Sequence, residues 1–221
     1  MKKRTPAVAA ALLVLALPAG ASGFADRFSL RLSPGGILPL GGRFSDTVKL
    51  GKAVGMGFGL SAGLRFKVND YVFLDAGYAF DWMGVKKDYQ PTAYKVEGRT
   101  PALHLGMITL NGTILLSTGY ALAPYVTLGA GMYPWRFSAR AFGGETWPAP
   151  SKPQNSFSST DFGLNGGLGA ETWLFSKFLV FAEIKYHYVF ARHVDKFGTD
   201  DFNQQDFLAL NIGLIYRFGH K

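Results

Sequence analysis

Residues 55–67 read GMGFGLSAGLRFK. The even positions are Met56, Phe58, Leu60, Ala62, Leu64 and Phe66, and the odd ones are Gly55, Gly57, Gly59, Ser61, Gly63, Arg65 and Lys67. Successive side chains of a strand point to opposite faces. The stretch is therefore a strand with one apolar face and one face of glycine and charge.

The pattern recurs along the chain. Residues 71–82 set Val72, Leu74, Ala76, Tyr78, Phe80 and Trp82 against Asp75, Gly77, Ala79 and Asp81. Residues 125–133, 161–174, 178–190 and 207–218 alternate in the same way. Two segments are less regular. Residues 27–33 alternate and then meet Pro34, Gly35 and Gly36. Residues 102–116 begin with Leu103, Leu105 and Met107 in phase and continue with Ile108, Leu110 and Ile114 in the other. Such a switch predicts a β-bulge. The sum is eight strands.

The connections alternate as well. Long segments at 41–54, 85–101, 139–160 and 192–205 take turns with short ones at 68–70, 117–124 and 175–177. An up-and-down antiparallel barrel has this form, with turns at one end and long loops at the other. The expected fold class is all-β: an eight-stranded antiparallel transmembrane β-barrel with both termini at the turn end.

Which face is outside follows from the glycines. Gly57, Gly59, Gly63, Gly129, Gly131, Gly163, Gly167, Gly169 and Gly213 all fall on the polar face. On a solvated exterior they would weaken strands for no packing gain. Inside an eight-stranded barrel they leave room for long neighbours, because that interior is only wide enough to be filled by side chains. The other face carries large apolar residues, with aromatics such as Phe66, Trp82, Tyr188 and Phe218 near strand ends, as a lipid-facing wall does. Composition agrees: 48% of residues are hydrophobic and 17% charged, against roughly 25% charged in soluble domains. No cysteine is present, which excludes a disulfide scaffold and a thiolate metal site.

The N-terminus reads as an address. Lys2, Lys3 and Arg4 precede an apolar run at 7–19 and small residues at 20–23. This is the form of a secretory signal peptide, and the run is too short to span a bilayer. We expect a signal peptide at 1–23, cleaved somewhere in 21–25, and a barrel domain at 24–221. Cleavage leaves 20 basic residues against 15 acidic, a net +5. No basic cluster suited to nucleic acid stands out.

Residues 73–83 (FLDAGYAFDWM), 124–133 (PYVTLGAGMY), 181–190 (FAEIKYHYVF) and 210–218 (LNIGLIYRF) resemble the small outer-membrane β-barrel family, which includes the OmpW-, OmpX- and OmpA-type barrels. The resemblance implies the outer membrane of a Gram-negative-type cell and insertion by the barrel assembly machinery. That machinery reads a last strand ending in an aromatic residue; here Phe218 is followed by Gly219, His220 and Lys221. OmpW-type members are associated with a hydrophobic conduit, from which an inward face of glycine and charge departs.

The inward charges are Arg65, Lys67, Asp75, Asp81, Glu171, Glu183, Lys185 and Arg217, with His187 among them. Buried charges must pair, so these are expected to pair across the lumen and fill it. The chain holds His104, His187, His193 and His220, but neither His-X-Ser nor Asp-Ser occurs, His193-Val194-Asp195 has no adjacent Ser, and His187 shares the inward face with Glu183 without an identifiable nucleophile. Asp195, Asp200, Asp201 and Asp206 do not match the spacing of a calcium loop. The expected function is that of a non-enzymatic envelope or surface protein acting through its loops, without cofactor or metal and as a monomer. The alternatives are a narrow conduit for a small solute and a lipid-modifying barrel enzyme.

The first two long loops are each net +2. Loop 41–54 holds Arg43, Lys49 and Lys52 against Asp46, and loop 85–101 holds Lys86, Lys87, Lys95 and Arg99 against Asp88 and Glu97. Adjacent at one end of the barrel, they are expected to meet phosphorylated lipopolysaccharide through Lys49, Lys52, Lys86 and Lys87.

Overall fold

A computed structural model describes residues 25–45, 48–89, 101–117, 121–138, 148–149, 152–156, 158–192 and 203–219. Eight long strands form the wall. They are β1 (Phe28–Gly41), β2 (Val54–Lys67), β3 (Val72–Val85), β4 (Ala102–Leu115), β5 (Leu122–Ser138), β6 (Ser158–Phe175), β7 (Phe178–Val189) and β8 (Gln205–Arg217). Each strand pairs antiparallel with its chain neighbours, and β1 pairs with β8 to close the barrel. Closure leaves no unpaired edge, which is the condition for strands to cross lipid.

The register fixes the faces. Leu64 lies opposite Ala76, Ala76 opposite Leu110, and Leu110 opposite Ala130. Even residues therefore pair with even ones, and odd residues line the lumen around the whole wall. Strand ends depart: register shifts set Val54 opposite Val85, Gly41 opposite Asp206 and Phe175 opposite Phe178. Phe58, Leu60, Leu110, Leu128, Leu168 and Ile212 are exposed on the outside, as a lipid-facing band requires.

The short connections share one end with the start of β1 and the end of β8. Asn69 Oδ1 accepts from the backbone N–H of Tyr71 and Val72, both at 2.8 Å, which tightens the first turn. Beside it, the Phe218 N–H donates to the Phe28 carbonyl and the Arg217 N–H to that of Lys177. At the opposite end the 42–53 loop folds back over the mouth. It has a small ribbon (Arg43–Ser45 with Val48–Lys49) and a single helical turn, α1 (Leu50–Ala53). Gly42, at φ 90°, makes the reversal, a conformation for which glycine pays no Cβ penalty. Its carbonyl accepts from Leu50 N–H at 2.9 Å, and Leu50 ends up fully buried.

Three expectations need correction. First, β4 has no bulge: its pairing with β3 runs unshifted from Ile114↔Val72 to Ala102↔Gly84. The apolar residues change face instead. Leu103, Leu105 and Met107 point into the lumen, and Ile108, Leu110 and Ile114 point to lipid. Second, β1 does not stop at Pro34-Gly35-Gly36 but runs on to Gly41, its pairing with β8 interrupted between Leu32↔Leu214 and Gly35↔Asn211. Pro34 has no N–H to give the ladder there. Third, the inward face is not glycine and charge throughout. Its loop end is an apolar cluster that includes Ile37, Met83, Leu103, Leu105, Trp135, Phe137 and Phe207, capped by Leu50 and Ala53. The signal-peptide expectation at 1–23 lies outside the described residues, as do His193, Asp195, Asp200, Asp201 and His220.

Candidate functional site

The interior is the place where the sequence concentrates its polar side chains, and it is layered. Near the turn end, Arg65 on β2 is 2% exposed. Its Nε donates to Asp75 Oδ1 on β3 at 2.8 Å, and its Nη1 to Glu171 Oε2 on β6 at 2.6 Å. Asp75 Oδ2 accepts from Thr113 Oγ1 at 2.6 Å. The guanidinium carbon lies 5.0 Å from the centre of the Phe73 ring, which adds a cation–π contact. One cation is thus held by two carboxylates with both hydrogen-bonding and aromatic support. Short, charge-paired contacts of this kind offset much of the desolvation of the ions, while Arg65 Nη2 has no hydrogen-bond partner among the described residues.

One layer higher, Glu183 on β7 gathers a second group. Lys185 Nζ lies 3.0 Å from its Oε1, and Arg31 Nη2 lies 3.4 Å from its Oε2. Tyr125 Oη donates to the same Oε2 at 3.2 Å. Arg31 also sits 4.1 Å from the Phe181 ring centre and 3.7 Å from Asp75 Oδ1, so it links the two groups. Gly169 makes this packing possible, since a Cβ there would overlap the Tyr125 ring.

Above these lies a cavity of about 80 Å³, bordered by Ser33, Ser61, Asp81, Thr109, Asn111 and Asn211. It has room for a few waters and is well below the ~300 Å³ of a small-molecule site. Near the loop end, Tyr133 Oη and His187 Nδ1 are 3.0 Å apart, and Trp135 Nε1 donates to Asp161 Oδ2 at 2.6 Å. The apolar cluster closes the mouth beyond. Phe44 of the 42–53 loop packs edge-on against Phe137 with ring centres 5.8 Å apart.

The expected lumenal charges are therefore partly joined. Arg65, Asp75, Glu171, Glu183 and Lys185 belong to the network. Asp81 points into the cavity, and its Oδ2 has no hydrogen-bond partner among the described residues. Arg217 stands at the turn-end mouth, 5.1 Å from the Trp173 ring centre. Lys67 stands at the same mouth, where it pairs with Asp70 at 2.6 Å. That contact, by hydrogen bond and charge, holds the exposed Asp70 carboxyl below its ordinary value. Sequence reasoning missed Arg31, which sits on the correct phase of β1, and missed Tyr125 and Tyr133, whose hydroxyls reach Glu183 and His187. Phase alone would have found all three.

The loop lysines are exposed at the loop end. Lys86 Nζ donates to the Gly51 carbonyl at 3.2 Å and its N–H to that of Ala53 at 2.8 Å. The start of the second long loop is thereby tied to the helical turn of the first, as adjacency of the two loops requires.

The fold has known counterparts. Neisserial surface protein A is similar at 15% identity and a TM-score of 0.59, over 86% of this chain and 97% of that one. Ail, the attachment invasion locus protein of Yersinia pestis, is similar at 18% identity and 0.48, over 87% and 99%. OprG of Pseudomonas aeruginosa is similar at 14% and 0.47, over 88% and 96%. No curated protein sequence matches the chain. The family model described as the outer membrane protein beta-barrel domain matches residues 7–218. With a closed eight-stranded wall, an apolar exterior and that match across nearly its whole length, the chain belongs to the outer membrane protein beta-barrel family and is a protein of the outer membrane.

Proposed function

We propose that this barrel is a non-enzymatic envelope protein, closed to solutes, that acts through its extracellular loops and its contact with outer-membrane lipid. The observation that carries this reading is the double closure of the lumen. The Arg65–Glu171 pair crosses it near the turn end, and the Leu50-capped apolar cluster fills it near the loop end. His187 is 4% exposed against Tyr133, and His104 is 2% exposed in the wall, so neither ring is presented to a substrate. Removal of a signal at 1–23, delivery by the barrel assembly machinery and a monomeric state belong to the same reading. So does contact of Lys49, Lys52, Lys86 and Lys87 with lipopolysaccharide.

Planar-bilayer recording of the purified barrel tests the closure. The expected trace is silent. Reproducible conductance steps that change in an Arg65→Ala variant would replace this reading with that of a narrow conduit.

A further inference from the structure

The outer wall carries an anomaly near the loop end. Three cross-strand rows of outward residues lie one beneath another on β4, β5 and β6. The top row is His104, Arg136 and Ser158; the third is Ile108, Met132 and Phe162. Between them the row consists of Gly106, Pro134 and Thr160, of which the first two have little or no side chain to extend. Pairing of β4 with β5 is interrupted at this level, between Leu105↔Trp135 and Ile108↔Met132, where Pro134 lacks an N–H. The missing side-chain layer leaves a groove of about 530 Å³, with Tyr78 and Phe80 of β3 along its flank.

Charge marks the upper edge of that groove. Arg136 is the one Lys or Arg on the outward face of the eight barrel strands; every other strand Lys or Arg is odd-numbered and inward. It is exposed, and no ion pair joins it to an acid among the described residues. A lone cation on a lipid-facing wall is costly toward the midplane and tolerable only near the interface, where it can meet an anion. Ser158 and Thr160 place two hydroxyls on the same face beside it. Below lies an apolar surface with Ile108 55% and Phe162 50% exposed. The groove therefore has a cationic, hydroxyl-bearing head and an apolar tail, oriented with the head toward the outer surface.

We propose that this groove binds one phosphorylated glycolipid of the outer leaflet. The phosphate lies on Arg136, Ser158 and Thr160, and an acyl chain lies in the depression over Gly106 and Pro134. Arg136 supplies charge-assisted hydrogen bonds, the strongest available to a phosphate. The site is on the side of the wall and does not depend on whether the lumen conducts or on the loop lysines.

The test uses the full barrel in detergent, titrated with bisphosphorylated lipid A and read by native mass spectrometry. One lipid per barrel is expected to be retained by the wild type. Arg136→Gln should weaken that retention about 10-fold. Thr160→Phe, which fills the groove from its exposed edge without touching the backbone, should do the same. Joint neutralisation of Lys49, Lys52, Lys86 and Lys87 should leave this single lipid in place. Folding of each variant is verified by its heat-dependent shift on a gel. Equal retention by Arg136→Gln, equal binding of lipid A lacking its phosphates, or displacement by inorganic phosphate alone would each overturn the proposal.

Discussion

Arg65 on β2 and Glu171 on β6 meet at 2.6 Å although 106 residues separate them in the chain. The two strands stand on opposite sides of the barrel, four strands apart either way around the closed wall. A pair formed across the diameter braces the lumen as well as blocking it.

Arg65→Met should therefore be costly. It leaves Asp75 and Glu171 buried without their cation, a defect worth about 3–5 kcal/mol. The triple variant Arg65→Met, Asp75→Asn, Glu171→Gln should recover most of that loss, because no uncompensated charge remains. Urea unfolding of barrels refolded in lipid vesicles measures both. A single variant within about 1 kcal/mol of wild type would show that the pair adds little to stability.

The lipid-facing band predicts a depth profile. Leu128, mid-strand on β5 and 71% exposed, should cost about 2–4 kcal/mol when changed to Arg. Leu122, the first residue of the same strand, should cost about 0–1 kcal/mol for the same change, since its side chain reaches the interface. Equal costs at the two positions would mean that the membrane is not where this barrel orientation puts it.

The Lys67–Asp70 pair predicts a pH effect of known sign. Asp70 titrates below its ordinary value of 3.8 in the folded protein. Its contribution to stability is present above that value and disappears as pH falls through the lowered folded one. Because Asp70 is solvent-exposed, the effect on stability is small. The sharper readout is NMR titration of the Asp70 carboxyl in micelles, which should move up toward 3.8 in Lys67→Met. No movement would remove Lys67 as the cause.

The loop lysines predict a salt-dependent contact. Changing Lys49, Lys52, Lys86 and Lys87 together to Gln should weaken adsorption of the barrel to vesicles rich in phosphorylated lipopolysaccharide. The difference should shrink as salt rises and the Debye length falls from about 30 Å at 0.01 M to about 8 Å at 0.15 M. A difference that does not change with salt would mean that the lysines do not act through the surface charge.

The sequence by itself determined the strands and the wall. Side-chain period is a local property, so residues such as Phe58, Leu60 and Leu110 declared a lipid face without knowledge of any neighbour. Alternating loop lengths then set the up-and-down order. What only the tertiary structure decided is what meets inside and outside that wall. Leu103 and Ile108 look alike in sequence, yet one fills the lumen and the other faces lipid, because β4 runs straight where a change of phase suggested a bulge. Arg31, Asp75 and Glu183 come together through closure and register. The groove under Arg136 exists because β4 and β5 bring Gly106 and Pro134 side by side. Such juxtapositions depend on strand register, which is fixed by the packing of the whole barrel and is written in no single segment.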